Sequence, residues 1–313
     1  MTALGDCKRE RIDALAARAG QLPQGDAGLS LTRSAFRRLR RDPVAITGAL
    51  IVLVFLFVAA FAPLLAPKDP VTQYLLSEIR PGSIPGPQEG FPLGVDNLGR
   101  DLLSRLIYGS RQSLLIGVVS TLLGLVVGMT LGVLAGAFGG WVDTVVMRFV
   151  DIILSIPGLL MAITVSVLLG QNQYALMIAI AVVQVPIFAR LLRGSMLAQR
   201  GSDYAVAARA LGVKQGRIVF GHVLPNSLSP VIVQATLSLA TAIIEAAALS
   251  YLGLGDPDIA RPEWGAMLAN AQDFLSTRPA LAVWPALCII VVALGFTLLG
   301  ERLREALDPK FRR

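Results

Sequence analysis

Among 313 residues the chain has one histidine, His222, and two cysteines, Cys7 and Cys288. That scarcity excludes much chemistry. A single histidine rules out the H-E-x-x-H zinc arrangement. Cys7 sits in a polar segment and Cys288 inside an apolar run, so no disulfide framework is readable. No G-x-x-x-x-G-K-[ST] phosphate loop occurs, so ATP is not held by that device, and no G-x-S-x-G nucleophile turn is present. Neither catalysis nor a metal site is expected of this chain. Charge is sparse too: 16% of residues are charged against 54% hydrophobic, with a mean hydropathy of +0.66. One aqueous core cannot hide so much apolar surface, and lipid is the alternative solvent.

The apolar residues fall in long runs. A transmembrane helix needs about 20 of them to cross roughly 30 Å of hydrocarbon. The first run, about 44–66, is too long for a cleaved leader and reads as an anchor that stays. Further spans are expected at about 112–138, 144–169, 175–196, 227–252 and 279–300. The third and fourth come from one uncharged run between Asp151 and Arg190, which as a single helix would measure about 57 Å. It must fold back, and the polar "GQNQY" at 170–174 marks the turn. Pro157, Pro186 and Pro285 fall within spans and are expected to kink them. The fold class is therefore an all-α membrane protein with six spans.

Before the first span, residues 1–30 are polar without a sustained period and read as a flexible extension. "LTRSAFRRLRRDP" at 31–43 puts Leu31, Ala35, Phe36 and Leu39 near one helical face with arginines elsewhere. That is an amphipathic interfacial helix, or alternatively a solvated linker. Six spans place both termini on one side. Of the 28 Lys and Arg residues, 21 lie on the side of the termini and 7 on the other. The positive-inside rule then gives N-in, C-in topology, so the net charge of +7 reflects a membrane face and not a nucleic-acid surface.

Four candidate features stand out. Gly124, Gly128, Gly132 and Gly136 form a small-residue row suited to close helix approach, within the chain or to another subunit. Glu245 is a carboxylate well inside a span, either functional or a protonated or paired group binding the bundle. The long loop from Lys68 to Arg111 is rich in turns, and Asp96, Gly99, Arg100 and Asp101 within it are candidates for a docking surface or gate, or for a cap over the pore. Finally, "DYAVAARALGVKQGRIVFGHVLPN" at 203–226 interrupts the apolar runs. Asp203 can cap a short helix, Gly212 permits the turn after it, and a second piece, 213–222, is expected to stop before Pro225. The product is a two-part elbow, expected at the cytoplasmic face.

This segment resembles the EAA loop of ABC importer permeases, E-A-A, three residues, G, nine residues, I-x-L-P. Ala207, Ala208, Gly212, Leu224 and Pro225 match in register, while Val206 stands in place of the Glu and His222 in place of the Ile. "PLGVDNLGRDLLSRLIYGSRQSL", "GAFGGWVDTVVMRFVDIILSIP", "EAALSYLGLG", "EWGAML" and "REALDPK" extend the likeness, in order, from about Phe36 to Lys310. Together they are similar to the second permease subunit of dipeptide, oligopeptide and nickel ABC importers. The resemblance implies a type I importer fold in the bacterial inner membrane and a peptide substrate. It implies a homologous permease partner, two cytoplasmic ATPases carrying ATP and magnesium, and an extracytoplasmic binding protein. It assigns ATPase coupling to Asp203, Tyr204, Ala207, Ala208, Arg209, Gly212, Leu224 and Pro225. An ion-coupled transporter or channel working alone is the alternative.

Overall fold

A computed structural model describes residues 36–80, 83–258 and 260–307. The extension 1–30, the first part of the interfacial segment (31–35) and residues 308–313 lie outside them. From Phe36 the chain makes one helical turn, with the Arg40 guanidinium 5.7 Å from the Phe36 ring centroid. The first long helix, α1 (Pro43–Ala60), starts where the sequence makes starting easy. The Asp42 carboxylate accepts from the backbone N–H of Val44 at 2.8 Å and of Ala45 at 3.2 Å, and Pro43 occupies a first-turn position where a missing N–H costs nothing.

Helix α2 (Leu102–Phe138) begins earlier than the uncharged run from Gln112 that marks its expected span. Absence of charge is a poor marker of a helix start. Asp101 caps the first turn by accepting from the Ser104 N–H at 2.8 Å, and buried Arg105 is accommodated by donating to the Pro70 carbonyl at 3.0 Å. At 37 residues the helix is about 55 Å long, so it projects beyond the hydrocarbon.

The expected third span is broken. Helices α3 (Gly140–Leu154) and α4 (Gly158–Leu169) meet at an angle of 91°. Pro157 takes an extended ψ of 129° instead of kinking a continuous helix, because the residue after it restarts the hydrogen-bond ladder. Partners along α5 (Gln173–Arg200) track the path: Asp143 meets Arg193, Asp151 meets Arg190, and Gly158 meets Val183. From Asp143 to Asp151 α3 advances about two turns while its α5 partners shift by less than one, so α3 lies steeply across α5.

In α5 and in α10 (Ala280–Leu307) the prolines, Pro186 and Pro285, sit inside continuous helices. Among the described residues five helices are long and apolar enough to cross a membrane, or six if the bent pair is one span. Among the described residues no strand forms, only isolated bridges such as Val95 with Asp101.

The glycine row resolves to packing within the chain. A Cβ on Gly124 would lie 2.9 Å from Cβ of Gln184, one on Gly128 2.6 Å from the Val185 carbonyl oxygen, one on Gly132 2.8 Å from that of Ala189, and one on Gly136 2.9 Å from Sδ of Met196. All four neighbours belong to α5, and among the described residues the α2–α5 seam is the most extensive helix contact. Gly128→Val should overpack this seam and cost about 1–3 kcal/mol, read as a lower thermal unfolding temperature in detergent. Gly194 has open space around it, so Gly194→Ala should show no such loss. Equal stability of the two variants would mean that the seam tolerates bulk.

Candidate functional site

The elbow hangs from the end of α5. Helix α6 (Asp203–Ala210) opens after Ser202, which holds the N-cap backbone position, so Asp203 is the first helical residue and not the cap. Its carboxylate still complements the positive helix start. The helix closes on Gly212, φ +76°, where the Val213 N–H reaches the Ala208 carbonyl at 3.1 Å and the Gly212 N–H reaches that of Arg209 at 2.9 Å. This pair of bonds is a Schellman turn, which needs a left-handed residue that glycine supplies without strain.

The second piece differs from expectation. It does not end before Pro225. Helix α7 (Gln215–Ile218) passes through one π-helical turn, Val219–Val223, directly into α8 (Leu224–Tyr251). The widened turn, with the Leu224 N–H bonded to the Val219 carbonyl, relieves the ladder just where Pro225 has no N–H to give. Asn226 helps by donating its side-chain amide to the His222 carbonyl at 2.8 Å. The second piece of the elbow is thus continuous with α8.

One face of the elbow is sealed against the bundle. Ala205, Ile218, Val219 and Val223 are buried with Phe188, Leu192 and Met196 of α5 and Val231 of α8, and Ala208 packs against them. Two bonds tie α6 to the end of α5: Arg209 donates to the Arg200 carbonyl at 2.6 Å, and the Tyr204 hydroxyl to Gln199 Oε1 at 2.8 Å. Arg200 in turn donates to the Ala137 carbonyl at the end of α2. The other face is open: Tyr204, Val206, Ala207, Ala210 and Phe220 are exposed, and Leu211 is 83% exposed. Leu224 is half-buried and Pro225 exposed. Bare apolar residues around smooth alanines make a surface suited to a protein partner.

At the opposite end of the bundle the loop candidates are internal. Arg100 is 2% exposed and Asp101 0%. Asp96 Oδ1 accepts from the N–H of Leu98 at 2.9 Å and of Arg100 at 3.0 Å, while its Oδ2 takes the Arg100 Nε at 2.8 Å and lies 3.3 Å from the Arg105 Nε. Gly99, φ +72°, lies so close that a Cβ would sit 2.5 Å from the Leu76 nitrogen. This cluster locks the loop to the start of α2 and offers no exposed docking surface.

Sequence reasoning missed the neighbouring tryptophan anchor. Trp264, which starts α9 (Trp264–Ala271), is fully buried, donates its Nε1–H to the Leu106 carbonyl at 3.0 Å, and needs Gly109 for its close approach to α2. Glu263 caps α9 by accepting from Gly265 and Ala266 N–H, both at 2.9 Å; burial pushes its carboxyl above the usual range. The signal was present in "EWGAML", an acidic residue before an apolar helix start.

Glu245 is half-buried on α8, its Oε2 buried without a hydrogen-bond partner. The structure brings no charged group to it among the described residues.

Comparison with known proteins fits this architecture. Residues 128–313 match the family described as binding-protein-dependent transport system inner membrane component, and residues 30–81 match the N-terminal TM domain of oligopeptide transport permease C. The chain belongs to this permease family. Curated relatives of the permease include the dipeptide transport system permease protein DppC of Alkalihalophilus pseudofirmus, 43% identical over 90% of both chains. The di/tripeptide permease DppC of Pseudomonas aeruginosa is 44% identical over 86% of this chain and 88% of its own. The glutathione permease GsiD of Pectobacterium atrosepticum is 40% identical over 90% and 91%. In fold the permease is similar to a chain of the inward-facing MetNI methionine ABC transporter, with a TM-score of 0.54 at 22% identity, covering 66% of this chain and 98% of that one. The permease is accordingly a multi-pass inner-membrane subunit of a bacterial ABC importer. It is a transport subunit, not an ATPase, and works with a second permease, ATPases and a binding protein.

Removing Asp96 from the loop lock leaves Arg100 and Arg105 buried without their carboxylate. Breaking such a pair costs about 3–5 kcal/mol, so Asp96→Ala should cut membrane abundance sharply, whereas Glu89→Ala, at an exposed position of the same loop, should not. Wild-type abundance of the Asp96 variant on quantitative blotting would show the lock to be dispensable.

Proposed function

We propose that this permease, with a homologous subunit, forms the translocation path for di- or oligopeptides delivered by an extracytoplasmic binding protein. The elbow faces the cytoplasm, both termini lie on that side, and two ATPases binding ATP and magnesium dock beneath. The elbow carries the reading: a sealed inner face makes it rigid with α5 and α8, and an open face of Tyr204, Val206, Ala207 and Leu211 is free for a partner. The peptide substrate is supported by the names of relatives that share most of the chain.

Rigidity is what coupling requires. Closure of the ATPases is a rigid-body motion that must bias an inward–outward equilibrium of the spans. A lever continuous with α8 passes displacement on, whereas a loose loop would absorb it. Gly212 fixes the angle between the two pieces, and because the space around it is open, a side chain there strains the turn without crowding the bundle. The family's glutamate is replaced by Val206, so contact at that position is apolar.

Gly212→Val forces a β-branched residue to positive φ. It should leave membrane insertion and ATP hydrolysis by the assembled complex in place while reducing peptide uptake about tenfold or more, for a cost of at least 1.4 kcal/mol in the coupled state. Normal uptake at normal abundance would remove the coupling role. Topology is checked separately with Lys214→Cys, which should stay unreactive toward an impermeant maleimide applied from outside. Labelling from outside would place the elbow on the wrong face.

A further inference from the structure

At the end of the bundle opposite the elbow, four separate segments converge on a cavity of about 440 Å³. Asp69 comes from the loop after α1, Tyr108, Arg111 and Gln112 from the first turns of α2, Gln173 from the start of α5, and Arg261 from the loop before α9. Its size is that of a small-ligand pocket. Its lining differs from the apolar groove between α8 and α10 on the bundle's flank, because here charge of both signs and two amides face one space.

The arginines of this end are not equivalent. Arg100 and Arg105 pair with Asp96, and Arg261 is held by Asp256 at 3.2 Å, Asp258 at 3.3 Å and the Gln173 amide oxygen at 3.1 Å. Arg111 has no ion-pair or hydrogen-bond partner among the described residues, and it does not pair with Asp69 across the cavity. The Asp69 carboxylate is kept ionised chiefly by the backbone N–H of Val71, at 2.8 Å, and then by that of Thr72, both on Oδ1. Its Oδ2 has no protein partner among the described residues. One anion and one cation, each with capacity to spare, stand around a cavity that places the Arg261 guanidinium and the Gln173 amide between other walls.

We propose that this cavity is an entry site for a short zwitterionic peptide, with Arg111 receiving the carboxylate terminus and Asp69 the ammonium terminus. The proposal rests on the importer reading above and adds to it a place and a mode of recognition in this subunit. A guanidinium can take a carboxylate with two parallel N–H donors, which supplies direction as well as attraction. The half-open cavity keeps such contacts reversible, as a transport path requires. Tyr108 and Gln112, one helical turn apart on α2, flank Arg111 and supply an aromatic wall and an amide for the backbone of the peptide.

The test uses the assembled transporter, both permeases with their ATPases, in lipid nanodiscs without the binding protein, so that its selection does not enter. A tripeptide with free termini and a central benzoylphenylalanine is photo-cross-linked, alongside its C-amidated and N-acetylated forms, and labelled sites are mapped by mass spectrometry. Label from the free tripeptide should fall on the segments carrying Tyr108 and Arg261. Arg111→Gln should lower it about tenfold, the scale of a lost charge-assisted hydrogen bond, Arg111→Lys should retain part of it, and Asp69→Asn should lower it similarly. Amidation should reproduce the first loss in the parent protein and acetylation the last. Label elsewhere, or equal label in parent and Arg111→Gln complexes that assemble fully, would each overturn the site. Failure of the parent subunit to co-purify with ATPases would instead count against the importer reading itself.

Discussion

The close approach of α2 to α5 is the constraint on which the remaining geometry depends. In lipid there is little hydrophobic gain in bringing two apolar helices together, so association relies on contact between backbones and on dispersion. Glycine at 124, 128, 132 and 136 removes the side chains that would hold the helices apart, and carbonyls and Cβ atoms of α5 fill the space. Once α5 is fixed along α2, the position of its far end is fixed too. The elbow, which begins just past Arg200 and is tethered through it to Ala137 at the end of α2, inherits that precision.

From there displacement has a short route. The inner face of the elbow shares one buried cluster with α5 and α8, and α7 passes through a π turn into α8 without a flexible joint. On the proposed coupling, a push on the exposed face of α6 arrives at α8, the helix that also carries Glu245. The Gly212 turn and the π turn are irregular places in this path, and the π turn falls just before Pro225, which has no N–H to give. A widened turn holds its shape through side-chain bonds such as that of Asn226 to the His222 carbonyl, so it bends the lever without softening it.

Much of this was legible in the sequence, and the gaps have physical reasons. Long apolar runs, the turn at Gly212 and the glycine row could be read because each follows from a single local rule. Which face the glycines present, to α5 and not to another subunit, required the fold. The start of α2 was missed because Arg105 and Arg111 look like loop residues until tertiary partners such as the Pro70 carbonyl are known. The break at Pro157 could not be told from a kink, since a proline permits both and packing of α4 near Val183 decides. Asp96, Arg100 and Asp101 could be read as a docking surface or as a cap, because charge in a loop usually faces water; the Asp96–Arg100 pair and the bonds of Asp101 to Ser104 put them inside. For the Trp264 anchor, the glycine that admits it lies on a helix far away in sequence, at Gly109.

The two ends of the bundle are held by electrostatics of different kinds. At the loop end the Asp96–Arg100 pair is buried and reinforced by backbone donors, and separating it would leave charge in a low-dielectric interior. At the elbow end Asp151–Arg190 is about half exposed on both sides and Asp143–Arg193 partly so, and water can replace such partners at small cost. These weaker pairs join α5 to α3, the amphipathic helix lying across it, with Trp141, Val145, Phe149 and Ile152 exposed along its other side. A motion that begins at the elbow thus meets replaceable contacts first and the buried lock last. That order suits the proposed importer, driven at the elbow face while the opposite face keeps its shape for the molecule that enters there.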